Sequence, residues 1–193
     1  MIISVIFVLL FLAFLMGIIL VPKIDGKINM IKVAVMGIMA IFCYQSFWAF
    51  MFQLVGIPVN LKSTCISMAA AVLLLWGMII KKKKMQRIFV RITDIAVLAV
   101  LAGIVIAVSL HMFTPYLRLS YINSDPANHF NDAMVIVKQG VLGKHIYFSA
   151  FVNAMFIEIF SPILIVSKYY KAFIFADIFM HVLEVWMCYV LML

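Results

Sequence analysis

Residues 92–113 read ITDIAVLAVLAGIVIAVSLHMF, one apolar run from Ile92 to Phe113. A helix crosses the hydrocarbon core of a bilayer with about 20 apolar residues, whereas a barrel strand needs only about ten alternating ones. The run therefore predicts a membrane-spanning helix. Comparable runs lie near Ile2–Val21, Val33–Val55, Cys65–Ile80, Phe148–Val166 and Ala172–Leu193. The predicted fold class is all-α: a polytopic membrane helical bundle forming one membrane domain over residues 1–193. Its spans are expected at 2–21, 33–55, 65–80, 92–113, 148–166 and 172–193.

Composition excludes a water-soluble domain. Of the 193 residues 68% are hydrophobic and 11% charged, and the mean hydropathy is +1.24. A soluble domain carries about a quarter charged residues, so this chain cannot cover a water-facing surface. The first run lacks a basic flank and a small-residue cleavage site at Val21-Pro22-Lys23, and reads as a retained span rather than a signal peptide.

Lysine and arginine placement predicts orientation. With the first connection cytoplasmic, the inner segments hold eleven basic residues: Lys23, Lys27, Lys32, Lys81–Lys84, Arg87, Arg91, Lys168 and Lys171. The outer segments hold four: Lys62, Arg118, Lys138 and Lys144. This reading places the protein in the cell membrane with both termini and the 114–147 loop extracytoplasmic. The net charge of +8 reflects this asymmetry and does not argue for nucleic acid. Cys43, Cys65 and Cys188 sit in or beside spans without paired or metal-type spacing.

The 114–147 connection is the only long one, and long loops in compact domains are usually functional. Within it, Asp125 before Pro126 is a helix start, and Gly140 and Gly143 supply a stop. Phe130, Met134, Val137 and Val141 recur at helical spacing between them. The expectation is an amphipathic helix of about four turns in the outer interface, its stripe toward lipid or the bundle.

Two polar constellations stand out. Asp125, His129 and Asp132 fall on roughly one side of the loop helix, where a carboxylate serves as general base or shares a divalent cation with its neighbour. Arg118, Lys138 and Lys144 flank them and are either a lipid-pyrophosphate clamp or solvated interface charges. The second constellation is intramembrane: Asp177, His181 and Glu184 at i, i+4, i+7, with Glu158 mid-way down the fifth run. A carboxylate at mid-membrane costs about 2.5–3.5 kcal/mol, against about 0.3–0.6 returned by each strong apolar residue. Their common face is therefore expected to point into the bundle, with Glu158 level with His181 and Glu184. It would serve as a proton relay, a cation site, a polar cavity or a helix–helix contact, the last including a contact to another membrane chain.

The segment Ser124-Asp125-Pro126-Ala127-Asn128-His129-Phe130 resembles the acidic loop motif of GT-C-type membrane glycosyltransferases. That resemblance implies a transferase taking sugar from a polyprenyl-phosphate carrier outside the membrane. It implies Asp125 as base or metal ligand, with His129 and Asp132 as helpers. Members of that superfamily commonly have eight or more spans, so the chain would correspond to an N-terminal portion or a truncated relative. The alternative expectation is a small transporter or ion-translocating subunit using Glu158, Asp177, His181 and Glu184.

Overall fold

The computed structural model describes residues 2–22, 27–81, 87–113, 125–142, 148–160 and 168–193. Among them are seven helices: α1 (Ile2–Leu20), α2 (Met30–Leu54), α3 (Leu61–Lys81), α4 (Ile92–Phe113), α5 (Asp125–Gln139), α6 (Phe148–Phe160) and α7 (Lys168–Met192). Four of these, α2, α3, α4 and α7, are long and apolar enough to cross a membrane, while the described parts of α1 and α6 are shorter. Two three-residue strands, β1 (Lys27–Asn29) and β2 (Arg87–Phe89), pair in parallel, where the sequence predicts only connections. Backbone groups left free between helices must find partners in an apolar surrounding, and this pairing supplies them.

The contacts define two ends of the bundle. At the sheet end, Asn29 closes the start of α2, its side chain accepting the N–H groups of Ile31 at 2.9 Å and Lys32 at 3.4 Å. The same side chain donates to Asp94 in the first turn of α4, and Tyr189 near the end of α7 donates to Asp94 at 3.1 Å. At the turn end, Val55–Asn60 joins α2 to α3, and Asn60 accepts from Lys62 and Ser63 as the cap of α3.

The two innermost helices touch backbone to backbone. A Cβ added at Gly37 would overlap the carbonyl oxygen of Ala13, and one at Gly17 would overlap that of Val33. The register, 13 against 37 and 17 against 33, makes α1 and α2 antiparallel. Small residues permit such approach, which is how helices associate where lipid offers no hydrophobic drive.

Several expectations change here. Of the fifth run, Phe148–Phe160 is described and forms α6, and 161–167 lies outside the described residues. Rising numbers on α6 meet falling numbers on α7: Phe156 stacks near Phe179 at 5.3 Å between centroids and Phe160 near Phe175 at 5.7 Å. Since α7 ends at the sheet end, α6 ends toward the turn end. The fifth run therefore does not go inward and the sixth does not return outward. Instead α1 and α7 both run from turn end to sheet end, so the chain does not begin and finish on one face. Between α4 and α7 the described segments are α5, whose end meets the α2–α3 turn, and α6, which runs toward that same end.

Of the two directions open to the apolar stripe of α5, lipid or bundle, it faces the bundle. Ala133 is 0% and Ile136 3% exposed, both within the core cluster that α6 and α7 share. Phe130 meets Phe173 edge-on at 5.4 Å. The far end of α5 is pinned to the α2–α3 turn, where Val59 donates to the Gly140 carbonyl and Leu142 donates to Gln53. Gly140 takes φ 68°, the left-handed conformation that ends the helix at little cost only for glycine. Gly143, the second expected stop, lies outside the described residues.

Candidate functional site

The side chain of Asp125 lies outside the described residues, as do Arg118 and Lys144 entirely. What is described is the backbone that carries Asp125: it is the first residue of α5. One turn on, His129 is half-buried and belongs to the electrostatic surroundings of Asp177 on α7. Asp132 is half-buried with Oδ2 enclosed and without a hydrogen-bond partner. Lys138 is exposed near the end of α5.

The predicted intramembrane cluster is taken apart. Glu158 faces the backbone N–H of Leu61 at the start of α3, with Oε2 buried and unpartnered. Asp177 on α7 faces Asn153 instead. His181 and Glu184 bond to each other at 3.3 Å, and their side chains are 53% and 60% exposed. They point out of the bundle, not into it. Helical phase explains the difference: Met180 and Leu183 occupy the buried face of α7, so residues one position on from each turn outward.

A different polar group is assembled in their place. His129 from α5, Asn153 from α6 and Asp177 from α7 come together between three helices. Asn153 is 0% exposed, and neither of its amide atoms has a hydrogen bond of ordinary geometry although it lies against the Asp177 carboxylate. Burying an amide in an apolar medium costs a few kcal/mol unless it is paired, and the Asp177 carboxylate is the partner within reach. The sequence signal was a single amide in an apolar run, which composition alone does not separate from ordinary packing. Among the described residues, no three His, Cys, Asp or Glu side chains converge to hold a metal ion.

Beside this group, nearer the middle of the bundle, lies a cavity of about 300 Å³. Leu9 and Ala13 of α1, Ile38 and Ile41 of α2, and the rings of Phe156 and Phe179 form much of its wall. Its surface is hydrocarbon and phenyl throughout, because Gln45 turns its polar end away to accept from Ser67 at 2.6 Å. Lys171, Phe175 and Phe179 follow one another at i, i+4, i+8, so one stripe of α7 leads from an exposed cation at the turn end into the cavity. No family model, characterised protein or solved structure matches the chain.

Proposed function

We propose that this multi-pass membrane protein handles a polyprenyl-phosphate-linked sugar at the turn end of the bundle, as a relative of the GT-C-type glycosyltransferases. The observation that carries the reading is the apolar cavity. Its volume is at the lower end of ligand-site sizes, and its walls offer nothing but van der Waals contact to a hydrocarbon chain. Lys171 one turn above Phe175 supplies a cation for the carrier's phosphate, alongside Lys138 and the flanking Arg118 and Lys144. The packed helix α5 supports a fixed acid at the same end, since it holds Asp125 on a rigid element.

In this reading an acceptor hydroxyl oxygen attacks the anomeric carbon. The bond from that carbon to the carrier phosphate breaks, the phosphate leaves with the electron pair, and the hydroxyl proton passes to Asp125. His129 and Asp132 shape the electrostatics around it. Basic residues orient the bundle. Connections at the sheet end carry nine, namely Lys23, Lys27, Lys32, Lys81–Lys84, Arg87 and Arg91, and the opposite end carries six, Lys62, Arg118, Lys138, Lys144, Lys168 and Lys171. The sheet end is then cytoplasmic, the turn end faces outward in the cell membrane, α1 starts outside and α7 finishes inside.

Native mass spectrometry of the purified protein with undecaprenyl phosphate tests the reading. Wild type is expected to retain the carrier, and Leu9→Trp, which fills the cavity, to lose it. With the sugar-charged carrier, Asp125→Asn is expected to bind but not turn over. Failure of wild type to hold any polyprenyl carrier overturns the proposal.

A second reading rests on Asn153. A fully buried amide against the Asp177 carboxylate, with His129 near it, suits a path for protons or a small cation better than a transferase core. Proton flux into liposomes that vanishes in Asp177→Asn and Asn153→Leu supports it. Equal flux in all three proteins excludes it.

A further inference from the structure

On α7, His181, Glu184, Cys188 and Leu191 form an exposed stripe at i, i+3, i+7, i+10. The helix segment bearing it, Lys171–Met192, is one of the four apolar enough to cross a membrane. His181 lies about 20 Å along α7 from its start at ~1.5 Å per residue, near the middle of the helix. A carboxylate and an imidazole at that depth cannot face lipid tails; such groups are found turned toward protein or water. Here they are turned away from their own bundle. Something outside the described residues covers them.

We propose that a second copy of this chain does so, the two copies packing side by side through the His181–Glu184–Cys188 stripe of α7. The stripe is self-complementary. Each copy offers an imidazole donor and a carboxylate acceptor one turn apart, already 3.3 Å from each other. Two such pairs related by a twofold axis along the membrane normal close into a ring in which each histidine, as imidazolium, donates Nδ1–H to its own Glu184 and Nε2–H to the glutamate of the other copy. Membrane insertion sets both copies in the same orientation, as that axis requires, and closed twofold pairing is the commonest form of self-association. Cys188, small and one turn below Glu184, lets the helices approach where the ring forms. Such pairing needs only that α7 crosses the membrane and is independent of any transferase or transport activity.

The three cysteines provide the test, because all are exposed and lie on different helices: Cys43 on α2, Cys65 on α3 and Cys188 on α7. The full chain in lipid vesicles at low protein density is treated with a mild oxidant and resolved without reductant. Three variants each retain one cysteine. A cross-linked dimer is expected through Cys188 and not through Cys43 or Cys65. In the Cys188-only protein, Glu184→Leu should lower the dimer fraction about tenfold or more, as expected for loss of interhelical hydrogen bonds in a membrane. Glu184→Gln, which keeps a hydrogen-bonding group, should keep most of it. Equal cross-linking through all three cysteines, meaning random collision, overturns the proposal. So does a monomer by native mass spectrometry with Cys188 shielded from a thiol reagent, because the stripe would then be covered by the chain itself.

Discussion

The α1–α2 pair and the α5–α6–α7 group are both helix contacts inside one bundle, yet they are built oppositely. In the first, Gly17 and Gly37 remove side chains so that backbones meet, the added Cβ positions falling on the carbonyls of Val33 and Ala13. In the second, aromatic rings space the helices, and the polar side chains of Asn153 and Asp177 meet between them. A membrane protein is free to be stable in the first manner everywhere. Where it is not, the polar group is a cost to stability that function must account for.

The largest effect on this contrast is expected at Gly37. Replacement by valine puts side-chain atoms where the Ala13 carbonyl stands, and a loss of about 3 kcal/mol or more is expected in reversible unfolding in detergent. A Cβ added at Gly77 or Gly103 would meet only open space, so alanine there should be neutral or stabilising by up to about 1 kcal/mol through helix propensity. If Gly37→Val proves as harmless as Gly103→Ala, the backbone contact between α1 and α2 is wrong.

Next in size, and opposite in sign, is Asn153→Leu. It removes a fully enclosed amide that lies against the Asp177 carboxylate without a hydrogen bond of ordinary geometry, and should raise stability by about 1–2 kcal/mol. The same unfolding measurement reads it, and a destabilised variant would mean that Asn153 has a partner after all. Asn29→Ala should cost about 1–2 kcal/mol, since it removes both the cap of α2 and a bond to Asp94. Gly140→Ala is expected to cost about 1–2 kcal/mol, because φ 68° disfavours any side chain and its Cβ would come within 3.0 Å of Pro58. Its effect should also appear as faster hydrogen exchange in α5, which that residue pins to the α2–α3 turn.

Length and hydropathy made the membrane helices legible, because a run of about 20 apolar residues has no other stable solvent. Asp125-Pro126 and Gly140 likewise marked the ends of α5, since a cap and a left-handed stop are properties of single residues. The number of crossings was not legible. A run such as Phe148–Val166 is hydrophobic whether it spans the bundle or is folded back against it, and only its pairing with α7 shows which end α6 reaches.

The candidate site divides in the same way. Helical spacing correctly put His181 and Glu184 on one face of α7, but spacing is blind to which face the neighbours cover. Asn153 was invisible as a site member, because its importance comes from burial and from helices that bring His129 and Asp177 to it. Hydropathy, capping and glycine stops act over a few neighbouring residues, so the chain's character as a helical membrane protein, and the limits of most of its helices, could be read directly from its residues. Tertiary contacts alone settled that α6 runs toward the turn end, that a hydrocarbon-walled cavity lies between α1, α2, α6 and α7, and that a charged stripe faces outward. Each of those depends on residues far apart in the chain meeting in space, and no local pattern encodes such a meeting.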